Sequence, residues 1–300
     1  MSSSPRHPLW LRATLWVAAV ILMLAAVVYQ RETGPTYPHK GSFALGGAEH
    51  SYALVRSDWS ERTNDAAVVR IPDPGAGATA TLHWKRYRTQ DPFAADPMTR
   101  AMDDDKAVFE GRLPAQPAAG KLEYYVTVDG GGQSQRLPEV ENVVIRFKDH
   151  VPAWILIPHI IMMFFSVLIG MRTGLAAIFA PGSMRRWAWV ALIGMTVGGM
   201  VLGPIVQKYA FGEYWTGFPN GGDFTDNKML FMWLSWVFAC AVLGFKPKRN
   251  ELIPRAAVLL GAAVMTAVYL IPHSMGGSEL DYSAVEQGVD PADAIRTGKH

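Results

Sequence analysis

Two histidines carry the strongest hint of chemistry, because each follows a proline inside apolar sequence: Ile157-Pro158-His159 and Ile271-Pro272-His273. An imidazole within an apolar span is costly without a partner, and each proline lacks an N–H, freeing a carbonyl one turn back. That combination opens space for a ligand, an ion or a water. Histidines from facing helices are the axial ligands that a b-type haem needs, and they also suit a metal ion. The plainer expectation, which leads, is that His159 hydrogen-bonds a loop or helix backbone and His273 caps an interface. His159 falls about 7.5 Å below Trp154 at 1.5 Å per residue, while His273 ends its span, so a shared ligand requires tilt.

The second candidate is the hairpin Tyr209–Lys228, which mixes aromatics, glycines and carboxylates. Tyr214, Trp215, Asp223, Thr225, Asp226 and Lys228 mark it as a loop that binds a partner or ligand, with Glu279 of the tail emerging beside His273 on the same face. The structural alternative carries about equal weight. Thr225 or Asp226 caps the next helix, the glycines make turns, and the aromatics anchor at an interface. A weaker reading makes Asp223, Asp226, His273 and Glu279 an enzyme site facing outward.

Other chemistry is argued against. The single cysteine, Cys240, rules out a disulfide framework, a CxxC pair and c-type haem attachment. The sequence holds no P-loop and no GxGxxG, and its charges nearly cancel at +2, so neither a nucleotide nor nucleic acid is expected as partner. Asp103-Asp104-Asp105 reads as a solvated acidic turn, and His39, His50, His83 and His150 as surface or half-buried residues.

These residues must be positioned by membrane helices. Hydrophobic residues make up 50% of the chain, charged residues only 18%, and the mean hydropathy is +0.10. Five stretches are long and apolar enough to cross a bilayer: Ala13–Tyr29, Val151–Met171, Trp187–Val206, Met229–Phe245 and Ala256–Pro272. No small-x-small cleavage site closes the first, which reads as an uncleaved signal anchor. Met1–Arg12, the Arg172–Arg186 loop and the Lys246–Arg255 loop carry nine basic residues against Glu251 alone. The positive-inside rule therefore puts the N-terminus in the cytoplasm and the C-terminus outside. Lys228 and Arg255 start helices and are expected to snorkel to water. Thr173–Gly182 either extends the helix before it or lies in the inner interface. Gly194, Gly198, Gly199 and Gly203 suit close helix packing, internal or between subunits. No charge lies mid-span, which weighs against a transporter.

Between the first two spans the texture changes to short β-rich runs punctuated by Pro, Gly, Asp and Thr. Strands are expected at Ser51–Arg56, Ala66–Ile71, Thr79–Tyr87, Val108–Leu113, Leu122–Val128 and Val143–Lys148, with a weaker one at Gln133–Leu137. That count fits an immunoglobulin- or fibronectin-like sandwich.

The runs Leu113–Tyr125, Trp215-Thr216-Gly217-Phe218-Pro219, Thr225-Asp226-Asn227-Lys228 and His273–Glu279 resemble a family of bacterial inner-membrane proteins. That family has an N-terminal anchor, a periplasmic sandwich and a C-terminal four-helix part. The resemblance implies architecture and an inner-membrane location, and it transfers no catalytic residue.

The expected fold class is therefore an α+β membrane protein, five transmembrane helices with an inserted extracytoplasmic all-β sandwich. Its parts are an anchor at residues 1–32, the sandwich at 33–148, a four-helix domain at 149–273 and a periplasmic tail at 274–300. The leading functional expectation is a non-enzymatic accessory or scaffold subunit, docking a membrane-protein partner in a respiratory or photosynthetic complex. Electron transfer through haem b or a metal at His159 and His273 is the alternative.

Overall fold

The computed structural model describes residues 8–75, 77–247, 250–272 and 277–296. His273 lies outside the described residues. The chain is α+β and divides into two compact units.

One unit holds Pro35–His150, Ala210–Gly212 and Ser278–His300. Its strands are β1 (His39–Leu45), β2 (Ala48–Leu54), β3 (Ser57–Trp59), β4 (Ala66–Pro72), β5 (Thr79–Arg86) and β6 (Ala94–Pro97). They continue as β7 (Thr99–Asp103), β8 (Lys106–Pro114), β9 (Lys121–Gly130), β10 (Gln133–Leu137) and β11 (Val143–Lys148). A six-stranded sheet runs β3-β11-β9-β5-β6 with β10 also on β9, a three-stranded sheet runs β4-β8-β7, and β1 pairs with β2. Side chains at alternate positions bury one face of each strand. Leu122, Tyr124, Val126 and Val128 of β9 meet Leu82 of β5, Val69 and Ile71 of β4, and Phe109 and Leu113 of β8 in one core. The Tyr124 hydroxyl donates to the Val55 carbonyl at 2.6 Å, so the buried phenol is satisfied.

All seven strands expected from the sequence are present, and β1, β3, β6 and β7 are additional. Asp103-Asp104-Asp105 does sit in a turn. Asp103 pairs with Lys106 across a two-residue loop in which Asp104 and Asp105 both have positive φ, 43° and 64°. That is the geometry of a type I′ hairpin, which Gly131-Gly132 also adopts between β9 and β10.

Chain beyond the helices completes this unit. Residues β12 (Glu279–Leu280), α7 (Tyr282–Glu286) and β13 (Ile295–Arg296) form a strap. Glu279 meets Lys121 Nζ at 2.6 Å and Arg88 Nη1 at 3.0 Å. The buried Tyr282 hydroxyl donates to the Lys121 carbonyl at 2.9 Å and accepts from the Lys121 N–H at 3.0 Å.

The other unit holds Met1–Gly34, Val151–Tyr209 and Glu213–Gly277. It contains five helices long and apolar enough to span a membrane. They are α1 (Leu9–Thr33), α2 (Ala153–Phe179), a composite third span, α5 (Phe224–Leu243) and α6 (Leu252–Leu270). The third span joins α3 (Met184–Met195), π-helical turns at Thr196–Leu202 and α4 (Gly203–Phe211). The π turns have a local cause: Pro204 has no N–H to give Met200, and the Gly203 N–H reaches back to the Gly198 carbonyl instead.

Two sequence expectations change here. Arg172 is not in a loop. The Thr173–Phe179 run is apolar and meets no breaker before Pro181, so α2 continues through it and Arg172 is a buried helix residue at 1% exposure. Lys228 and Arg255 do not simply snorkel to water either. Lys228 Nζ donates to the carbonyls of Ile271 and Pro272, both at 2.9 Å. Arg255 donates to Ala177 at 2.8 Å and Ile178 at 3.2 Å, and Arg185 to Leu243 and to Gly244 at 2.8 Å. Each cation closes the C-terminal end of a neighbouring helix, where orphan carbonyls and the helix dipole favour positive charge.

The glycines pack internally. A Cβ at Gly198 would lie 2.9 Å from Met162 Cβ and 3.2 Å from Met163 N, so the π turns ride directly on the α2 backbone.

Candidate functional site

At the N-terminal end of α5 the loop 212–223 folds around two buried carboxylates. Asp223, rather than Thr225 or Asp226, is the N-cap: its Oδ1 accepts from Thr225 N at 2.7 Å and Asp226 N at 3.2 Å. The N-cap falls here because Phe224 is the first helical residue, which leaves Thr225 and Asp226 inside the first turn. Asp226 then faces back into the loop. Its Oδ2 accepts from the N–H groups of Thr216 at 2.7 Å and Gly217 at 3.0 Å.

The Thr216 hydroxyl lies between the carboxylates, 3.0 Å from Asp223 Oδ2 and 3.2 Å from Asp226 Oδ2, and accepts from Gln207 Nε2 at 2.6 Å. Asn227 Oδ1 accepts from Phe218 N at 2.7 Å, and Trp215 Nε1 donates to the Phe218 carbonyl at 3.0 Å. Gly217 is where the loop comes closest to the helix; a Cβ there would lie 2.6 Å from Asp226 Cβ and 3.2 Å from Asn227 N. Asp223, Thr225, Asp226 and Lys228 thus come together on one frame. Lys228 also lies over the Phe224 ring, 5.4 Å from its centroid. Outside this polar frame, Tyr214 is 56% and Phe218 68% exposed.

Glu279 is held elsewhere. It belongs to the strap of the β unit, on Lys121 and Arg88. Burial pushes the Lys121 amine down to about 8, with the nearby Arg146 charge adding to the fall and Glu279 opposing it.

His159 is half-buried in α2, and its Nδ1 lies 2.9 Å from the Gly198 carbonyl. A carbonyl only accepts, so Nδ1 carries a proton, and in the neutral ring this leaves Nε2 with its lone pair. The same carbonyl receives the Gly203 N–H, so the histidine is seated on the π turns. The sequence led to a loop or helix backbone as the partner of His159, and the structure supplies one, though nothing in the sequence singled out Gly198. The signal that was available is Pro204 following a run of glycines, which marks a break in the third span.

The described residues contain no group of three or more His, Cys, Asp or Glu placed to hold a metal ion. No protein-family model matches the sequence, and no curated protein matches it.

Proposed function

We propose that the protein is a non-enzymatic accessory subunit of a bacterial inner-membrane assembly, respiratory or photosynthetic in kind, whose outer loop and β-domain dock a membrane-protein partner. The observation that carries this reading is the loop before α5. Its carboxylates are engaged by backbone N–H groups, the Thr216 hydroxyl and the helix cap, and Lys228 by carbonyls. A frame braced in this way presents aromatic side chains outward, Tyr214 and Phe218 above all. Rigid aromatic rings are favoured anchors in protein interfaces.

The strap supports the topology. Glu279 lies 2.6 Å from Lys121, so strap and sheets share one side of the membrane, which requires an even number of crossings between them. Four candidate spans lie in that interval. The basic ends of α1, α2 and α3 then face the cytoplasm, α1 acts as signal anchor, and the β unit, read as an immunoglobulin-like sandwich, is periplasmic.

The test is photo-crosslinking from position 218 in native membranes, followed by purification without denaturant. One discrete adduct, with the same protein co-purifying at fixed stoichiometry, is the expected result. A lone monomer with crosslinks to lipid alone refutes the proposal.

A second reading has its own observation. His159 presents an unprotonated Nε2 from a ring oriented by a backbone carbonyl, the arrangement that metal- or haem-ligating histidines use. A Soret band and a reducible α band, both lost in His159→Ala, would establish electron transfer. A featureless spectrum from a preparation that retains haem excludes it.

A further inference from the structure

Of the cations at the basic end of the membrane unit, two are engaged within the chain, and one that is buried is not. Arg185 caps α5 and holds Glu251 through two contacts, at 2.9 and 3.1 Å. Arg255 caps α2 and Lys228, at the far end, caps α6. Arg172 is 1% exposed, and its Nε and Nη1 have no hydrogen-bond partner. An isolated guanidinium in such surroundings is severely penalised unless an anion meets it. Glu251 is the one acidic residue in the segments that cap this end, and Arg185 already holds it.

The surroundings of Arg172 add positive charge and aromatic rings. Trp16 of α1 lies over the guanidinium, 5.6 Å from ring centroid to Cζ. Trp187 of α3 meets Trp16 edge-on at 5.3 Å, and Arg186 lies over Trp187 at 5.3 Å. Arg12 sits one turn before Trp16 on α1, and its charge acts on Arg172. Three helices thus bring three arginines and two indoles to one place, and among the described residues no carboxylate pairs with any of the three.

The depth fits a headgroup. Arg172 lies seven residues before the end of α2, about 10 Å along the axis, near the boundary between acyl chains and headgroups. A guanidinium fork matches a phosphate in shape and charge, and interfacial tryptophans suit the same level. The helix that covers the site is lightly held, for only Leu15, Ala19 and Ala26 of α1 are buried.

We infer that Arg172, with Trp16 over its face and Arg12 and Arg186 flanking the two indoles, binds the phosphate of an anionic phospholipid at the basic end of the membrane unit. Basic pockets between helices at this level are suited to such headgroups. The lipid replaces the carboxylate that the chain does not supply, and it ties α1 to α2 and α3.

The test places the full chain in phosphatidylcholine nanodiscs with and without phosphatidylglycerol and follows Trp fluorescence and thermal unfolding. Phosphatidylglycerol is expected to stabilise the wild type and to alter its indole emission. Arg172→Met, which removes an unpaired buried charge, should be at least as stable in phosphatidylcholine alone and show neither response. A third arm adds inorganic phosphate to the phosphatidylcholine discs: an equal response there assigns the site to free phosphate, and none assigns it to lipid. Should Arg172→Met not fold, native mass spectrometry of Arg12→Gln/Arg186→Gln takes its place. Phosphatidylglycerol retention there should fall on the order of tenfold or more, the weight of lost charge-assisted contacts. Equal responses in wild type and Arg172→Met, or unchanged retention in the double variant, overturn the inference.

Discussion

Replacing Glu279 with glutamine probes the contact that closes the β unit. In the wild type Lys121 is 8% exposed, its ammonium lies 2.6 Å from Glu279, and Arg88 grips the other carboxylate oxygen at 3.0 Å. Burial already holds the amine down at about 8, and Glu279 is the group that opposes that fall. Glutamine keeps the shape and removes the opposing charge. Breaking a buried pair from one side costs about 3–5 kcal/mol; since Glu279 and Arg88 keep some contact with water, about 2–3 kcal/mol is the better figure. At 1.4 kcal/mol per decade, opening of the strap should rise by roughly 30- to 150-fold at pH 6–7.

The pH dependence follows from the sign. When the strap lifts, Lys121 regains water and its ordinary value near 10.4. Between about 8 and 10.4 the open state binds more protons than the closed one, so closure strengthens as pH rises through that window and is insensitive below it. Once Lys121 is neutral Glu279 has no ammonium to hold, so the gap between wild type and Glu279→Gln should narrow above pH 8. Hydrogen exchange of residues 278–296 in the solubilised full chain, corrected for intrinsic rates, measures this. The amides of Leu280 and Asp281, bonded to Ala119 and Ala294, are the reporters. Unchanged strap exchange in the variant at pH 6–7, or a difference that does not vary with pH, would refute the reasoning.

Gly198→Ala should cost about 1–3 kcal/mol, because the new methyl meets the α2 backbone at Met163, and it should loosen the His159 contact. Gly170→Ala, which faces chiefly the flexible end of Met265, should cost less; thermal unfolding in one detergent compares the two, and equal losses would contradict the packing argument. Asp104→Asn with Asp105→Gly should stabilise the protein by about 0.5–1 kcal/mol, since both positions hold positive φ in a two-residue hairpin. A lower melting temperature for that pair would contradict the turn assignment.

The helices were legible because each is a long apolar run, and the central strands because burial of one face imposes a period. Tyr124, Val126 and Val128 announce β9 by alternation, and all three are fully buried. β1 carries only Phe43 and Leu45 as buried positions, and β6 and β7 carry none, so no period marks them. Arg172 misled because a charge beside an apolar run reads as a membrane boundary, whereas the helix continues wherever nothing breaks it. Asp226 was legible as a loop residue but not as the acceptor for Thr216 and Gly217, which depends on how the loop turns back. The strap was illegible, since Glu279 finds Lys121 across a separation of 158 residues, and no local pattern encodes that distance.

The strap also imposes an order on biosynthesis. The last sheet strand, β11, ends at Lys148, and Glu279 leaves the ribosome only after roughly 130 further residues, at ~5–20 residues per second some ten seconds later. Throughout that interval four segments apolar enough to span a membrane are made while the seat for Tyr282 stands empty and the Lys121 ammonium remains hydrated. The β unit is therefore finished last although most of it is made first, because the contacts that close it await the chain that follows α6.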